Sequence, residues 1–281
     1  MPTVSERSRL ISIVQSRQNA RVRELRAAFA RTSRDIPEVI GIEGEHLLAE
    51  ALRSGLRLRT VFLRADPDRS ETALRLLERL AIPAAVPIVS LNEAVFRSAV
   101  DTESPQGIAA LAETPQFSLD QALAGERPLV IVAAALQDPG NFGTIVRSAE
   151  AFGAAGILAL PGTVSIWNGK ALRASAGSAF RLPVVSEKSA LLFSALAQRS
   201  IPVFAAVPAG RGAIPCSRAD LRGPAALLIG NEGSGLSAEL LERADSRIAI
   251  PMPGRVESLN AAVAASLLLY EAARQRSAQP S

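Results

Sequence analysis

Three loops of this chain carry residues whose types and spacing could do chemistry. In "ALQDPGNFGTIVRSAEAFGA" (135–154), Asn141 and Arg147 sit at and inside the start of a helix; in "LLIGNEGSGLS" (227–237), Gly230, Gly233 and Gly235 surround one carboxylate, Glu232. In "IAIPMPGRVESLNAAVAASLLLYEAA" (248–273), Ser258 and Asn260 open a long apolar helix. The glycine loop is the most informative. No Lys followed by Ser or Thr closes it as in a P-loop, and its glycines are not spaced as in a dinucleotide fingerprint. A carboxylate beside a phosphate costs Coulomb energy, so a loop carrying Glu232 suits a neutral or cationic ligand. Glycines after a strand also serve tight turns, and this stretch is compatible with either use.

Each remaining polar residue has a plain structural use. Asn141 can cap the helix that follows it, Arg147 can be a solvent-facing helix charge, Ser258 can be an N-cap and Asn260 a first-turn polar residue. The chain holds one histidine, His46, and one cysteine, Cys216. That excludes an internal disulfide and a zinc site of the usual kind, and leaves little for histidine-based acid–base work. His46 is expected to pack at a helix start and Cys216 to fill a small apolar space.

These loops need strands and helices to hold them. "LVIVAAAL", "GILALP", "LPVV", "IPVFAAV", "AALLIG" and "RIAIP" are short apolar runs, as expected of a mostly parallel sheet covered by helices. In such sheets ligands collect beyond the carboxyl ends of the strands, where all three loops fall. Phe142, Ile145, Val146, Ala149 and Phe152 make one helical face, with Gly153 as its stop. The first hundred residues alternate in the same way: "GEHLLAEALRSG" and "ETALRLLERLA" are expected as helices, "RTVFLR", "AAVPIVSL" and "QGIAALAE" as strands. The domains are therefore placed at residues 1–113 and 128–281, with 114–127 as a linker.

The 281 residues carry a net charge of +4, and the lysines are only Lys170 and Lys188. Arg7, Arg9, Arg17, Arg21, Arg23, Arg26, Arg31 and Arg34 face only Glu24 and Asp35 nearby, a cluster that fits either a polyanion or a solvated helix face. No apolar run reaches the ~18 residues of a membrane span. The first stretch also lacks the apolar core of a secretory signal, so no membrane association and a cytoplasmic location are expected.

Taken in order, the three loops closely resemble the signature motifs of the SpoU-type RNA ribose 2′-O-methyltransferases of the SPOUT superfamily. The resemblance rests on Asn141 with Arg147, on "GNEG" from Gly230, and on Ser258-Leu259-Asn260; it spans residues 128–273 and includes "LRASAGSAFRLPV". The stretches "RQNARVRELRAAFA" and "IEGEHLLAEAL" resemble the ribosomal-protein-like substrate-binding domain that some members carry.

The resemblance implies an α/β SPOUT domain with a deep trefoil knot, preceded by a smaller α/β RNA-binding domain, and a homodimer formed through the carboxyl-terminal domain. It implies S-adenosyl-L-methionine as cofactor, contacted by Gly230, Ile250 and Leu259 largely through backbone groups, with Gly230 needing its missing Cβ for close approach. The ligand is cationic at sulfur, in keeping with Glu232 in the loop. The implied substrate is a ribose 2′-hydroxyl of structured RNA, ribosomal RNA ahead of transfer RNA. Arg147, Asn141, Glu232, Ser258 and Asn260 are the implied catalytic set, with Glu232 organising the loops or Arg147. The family assigns the acceptor proton to the arginine, whereas a guanidinium titrates above ~12 and is a poor base at neutral pH. Gripping the adjacent phosphate is the other role open to it. A catalytically silent RNA-binding protein on this fold would be expected to lack Arg147, Glu232 or Asn260, and all three are present. An α/β enzyme for a phosphorylated metabolite would bind nucleotide in preference to S-adenosylmethionine.

Overall fold

A computed structural model describes residues 11–30, 36–65, 70–210 and 212–277. Of the arginine cluster, Arg7, Arg9, Arg31 and Arg34 lie outside the described residues. The chain divides into two compact units, Met1–Pro115 with Trp167–Gly169, and Gln116–Ile166 with Lys170–Ser281.

The first unit runs β1 (Ile11–Val14), α1 (Ala20–Phe29), β2 (Val39–Glu43), α2 (Glu45–Arg53), β3 (Leu58–Arg64), α3 (Ser70–Arg79), β4 (Ile88–Leu91), α4 (Glu93–Ala99) and β5 (Ile108–Glu113). Its five-stranded sheet has the order β1-β4-β3-β5-β2, with β5 antiparallel to both neighbours and the other pairs parallel. Asn19 caps α1 by accepting from the Arg21 N–H, and the helix buries Val22, Leu25 and Phe29 against Phe62, Val89 and Leu111 of the sheet and Val95 and Phe96 of α4. His46 begins α2 as expected but is exposed, because the packed face of that helix is Leu47, Leu48 and Ala51.

The second unit runs α5 (Leu119–Ala122), β6 (Leu129–Ala133), α6 (Pro139–Ala151), β7 (Gly156–Ala159), α7 (Gly169–Ala174), β8 (Val184–Ser186), α8 (Ser189–Gln198), β9 (Val203–Ala206), β10 (Ile214–Pro215), β11 (Ala225–Ile229), α9 (Ala238–Glu242), β12 (Ser246–Ala249) and α10 (Ala261–Ser277). Its seven strands lie in the order β10-β12-β9-β11-β6-β7-β8, and every neighbouring pair is parallel. The apolar runs β6, β7 and β11 are buried along their whole length, which explains why they lack alternation. Part of the segment read as a linker is structured: Ser118 and Gln121 form a reciprocal capping box on α5, and Ala122 and Leu123 enter the core beside Val130, Leu158 and Leu196. Cys216 is buried, and burial pushes its thiol up from the ordinary range.

Topology positions the site. From β6 the chain moves through α6 to β7 on one side; from β11 it moves through α9 to β12 on the other. Because β6 and β11 are adjacent, the loops leaving their carboxyl ends diverge and open a crevice between them, the switch point of an open parallel sheet. Helix α6 is held close to α7 by Gly143, where a Cβ would stand 2.2 Å from the carbonyl oxygen of Ala171. Gly143→Ala is therefore expected to force the helices apart and destabilise the unit by about 1–3 kcal/mol. Gly223→Ala, where no atom lies within 4 Å of an added Cβ, should be neutral in the same denaturant melts.

Candidate functional site

At the switch point, Asp138 starts α6. Its Oδ1 accepts from the Asn141 N–H at 2.7 Å, Pro139 occupies the first turn, and Lys170 Nζ lies 3.0 Å from Oδ2. Asn141 is thus not the helix cap that its sequence position allows. Asp138 takes that role because Pro139 presets the helical φ three residues earlier. The Asn141 amide is left free to reach outward: Nδ2 donates to Glu232 Oε1 at 2.8 Å, and Oδ1 accepts from Asn260 Nδ2 at 3.0 Å.

Asn260 in turn caps α10, its Oδ1 accepting from the N–H groups of Ala262 at 2.9 Å and Val263 at 3.3 Å. The cap is therefore Asn260, and Ser258 stands exposed in the loop before it. The result is a one-way chain of hydrogen bonds from the α10 amino terminus through Asn260 and Asn141 to Glu232. Backbone N–H groups can only donate and a carboxylate only accepts, so both amide orientations are determined.

Glu232 also lines a cavity of about 330 Å³ whose wall includes Gly230, Ile250, Glu257, Ser258 and Leu259. Gly230 cannot carry a Cβ, which would lie 2.6 Å from the carbonyl carbon of Gly235. The backbone it would strike is the loop's own, since Asn231 and Gly235 pair through two backbone hydrogen bonds of 3.2 and 2.9 Å. The lining combines apolar side chains with backbone groups and two carboxylates, a set suited to a ligand with an apolar body and a cationic centre.

Asn141, Asn260, Glu232, Ser258, Gly230, Ile250 and Leu259 are therefore brought together. Arg147 is not among them: it is exposed on α6, away from the buried Phe142, Ile145, Val146 and Ala149, and has no hydrogen bond or ion pair among the described residues. Glu232 binds Asn141 and not Arg147. From the sequence, Asn231 enters only as part of the "GNEG" motif with no role of its own, and Asp138 and Lys170 are given no site role. Asp before Pro-Gly is a cap signal that was available, whereas the Lys170 contact spans 32 positions and has no local trace.

An all-parallel α/β unit with a ligand cavity at its switch point, joined to a smaller mixed-sheet unit, is the class that fold and site define. The SpoU rRNA Methylase family model matches residues 128–270, and the MRM3-like substrate binding domain model matches residues 19–110. The chain is 33% identical over 260 residues to the 23S rRNA (guanosine(2553)-2'-O)-methyltransferase RlmP of Bacillus subtilis, covering 92% of this chain and 97% of that one. It is 31% identical to the 23S rRNA (uridine(2479)-2'-O)-methyltransferase of Streptomyces viridochromogenes, covering 92% and 91%. The crystal structure of the SpoU methyltransferase AviRb from Streptomyces viridochromogenes, in complex with the cofactor AdoMet, superposes with a TM-score of 0.82 at 30% identity, covering 94% of this chain and all of that one. The chain belongs to the SpoU rRNA methylase family.

Asp138 yields a pH-dependent prediction. Its carboxyl is held below the usual carboxylate range, first by the Asn141 N–H and then by Lys170. A depressed folded-state pKa gives stability that is present above the unfolded value of ~3.9 and is lost as pH falls through the folded value. Asp138→Ala should cost about 1 kcal/mol in urea melts at pH 7, and the gap from the parent should narrow below about pH 4.

Proposed function

We propose that this chain is an S-adenosylmethionine-dependent methyltransferase acting on a ribose 2′-hydroxyl of RNA, with ribosomal RNA as the substrate class. The observation that carries the reading is the cavity lined by Gly230, Ile250 and Leu259, whose Glu232 is hydrogen-bonded to Asn141 and through it to Asn260. Family membership and relatives named as 23S rRNA 2'-O-methyltransferases support the reaction and the RNA.

S-adenosylmethionine, when bound, supplies a methyl group activated by the positive sulfur. Gly230, Ile250 and Leu259 would hold it, and the carboxylates of Glu232 and Glu257 suit its charge. Asn141, Ser258 and Asn260 act as neutral hydrogen-bonding groups that fix the loops and the ribose, so positioning supplies much of the acceleration. Arg147 grips the acceptor's phosphate. With no partner among the described residues, its planar fork keeps its donors for that purpose and favours loss of the hydroxyl proton electrostatically. The proton passes to a phosphate oxygen or to water.

Residues 1–113 select the RNA, residues 114–127 connect, and residues 128–281 carry the transfer, the last segment forming a deep trefoil knot. Arg17, Arg21 and Arg23 support the first assignment: all are exposed and unpaired among the described residues, while Arg53, Arg59, Arg64 and Arg79 of the same unit are tied to carboxylates. A cytoplasmic site of action goes with ribosomal RNA as substrate. Among the described residues no helix is long and apolar enough to cross a membrane.

The protein acts as a homodimer through α10. Val263, Leu267 and Tyr270 form an exposed apolar stripe on it (47%, 42% and 53% exposed), beside the ring contact of Tyr270 with Phe152. Sedimentation at micromolar concentration should give twice the chain mass of 29.5 kDa, and Leu267→Glu should give the monomer.

Mapping 2′-O-methyl groups in ribosomal RNA from cells with and without the gene tests the reaction, since no lost site would refute it. Arg147→Ala should lower kcat/KM by about 10²–10³ with calorimetric S-adenosylmethionine affinity unchanged. Arg147→Lys keeps charge without the fork and should retain partial activity if the role is electrostatic. Parent-like turnover of the alanine variant would remove Arg147 from the mechanism.

A further inference from the structure

The loop from Gly230 to Gly235 borders two cavities, the one of about 330 Å³ and a second of about 230 Å³ lined by Ala134, Ala135, Leu160, Ser234 and Gly235 among others. Ser234 and Gly235 line both. Packing therefore does little to hold this loop, and hydrogen bonds must.

Most of them converge on Asn231. Its Oδ1 accepts from the N–H groups of Gly233 at 2.8 Å and Ser234 at 3.2 Å, and from the Ser234 hydroxyl at 3.4 Å. Its Nδ2 reaches across the switch point and donates to the carbonyl oxygen of Ala135 at 2.8 Å. Ala135 itself has φ +53°, a left-handed conformation that a residue with a Cβ adopts only at a cost and keeps only where its surroundings hold it. It lies two residues past the end of β6, on the segment that leads into Asp138 and Asn141, while Asn231 immediately precedes Glu232.

We propose that Asn231 is a positioning residue, a clasp that holds the left-handed turn at Ala135 against the glycine loop so that the cavity wall and the Asn141–Glu232 hydrogen bond form together. One amide thereby couples the cofactor side of the site to the acceptor side. The functional consequence rests on the reading of the cavity as an S-adenosylmethionine site; the clasp itself does not.

Asn231→Asp keeps an acceptor for the Gly233 and Ser234 amides and replaces the donor to Ala135 by an oxygen that repels its carbonyl. Ala135→Gly removes the conformational cost that the clasp offsets. The full chain is compared as parent, Asn231→Asp, Ala135→Gly and the double variant, by hydrogen exchange without ligand and by S-adenosylmethionine calorimetry. Asn231→Asp is expected to speed exchange over residues 135–141 and to raise the Kd about tenfold, the scale of one lost hydrogen bond. Ala135→Gly alone should change little, and the double variant should return to within about threefold of the parent, a non-additive rescue. An unchanged Kd for Asn231→Asp, or additive effects in the double variant, would overturn the proposal. If Asn231→Asp fails to fold, recovery of folding in the double variant supports the clasp and failure of both refutes it. Should the parent not bind S-adenosylmethionine, the functional reading falls, and the clasp is decided by exchange alone: parent-like protection of residues 135–141 in Asn231→Asp sinks it.

Discussion

The parallel pairing of β6 with β11 is the constraint on which the site depends. It sets Ala133 opposite Ile229, and the Ala134 N–H continues the ladder to the Ile229 carbonyl at 2.8 Å. At this point the two strands end together and their chains part in opposite directions. Groups 91, 96 and 119 positions apart can then share hydrogen bonds: Asn141 with Glu232, Asn231 with Ala135, and Asn260 with Asn141. A slip of register between β6 and β11 would break the first two contacts at once, because both span these strands.

The polar groups assembled there are two amides and a carboxylate, ordered by the N–H groups that begin α10. Such a network holds geometry. This suits a reaction whose leaving group is already activated and whose demand is alignment. Arg147 fits the same economy. Elsewhere in its unit Arg181, Arg199, Arg222 and Arg274 are tied to carboxylates, and Arg276 reaches the carbonyl oxygens of Leu221 and Gly223. Arg147 faces solvent, with its hydrogen-bonding capacity open to a partner from outside the fold.

The first unit solves a different problem. Its sheet turns antiparallel at β5, and the carboxylate of Glu43, buried at the end of β2, holds the segment before β5 through the Thr102 hydroxyl at 2.7 Å and the Gln106 N–H at 3.2 Å. A buried carboxylate needs such donors, and here they anchor an otherwise irregular stretch of chain. Among the described residues, the arginines of this unit that remain unpaired lie on the α1 side, at Arg17, Arg21 and Arg23.

The amino-acid sequence by itself determined the apolar runs that become β6, β7, β9, β11 and β12, the helical face of Phe142, Ile145, Val146 and Ala149, and the three loops with their polar residues. Each of these is local: burial on both faces demands a continuous apolar strand, and a 3.6-residue period demands a stripe. The resemblance of those loops to a family then named Gly230, Ile250 and Leu259 as one set. β1, β2 and β10 were not legible as strands, β10 because two residues carry no period. Only the tertiary structure decided what the amides bind. Pro139 makes Asp138 the cap of α6 locally, whereas the side chains of Asn141, Asn260 and Glu232 find one another only across the switch point. The tertiary structure likewise assigned Asn231 to Ala135 and left Arg147 apart, because hydrogen bonds between chain segments some 100 positions apart are fixed by strand order, which local propensity does not encode.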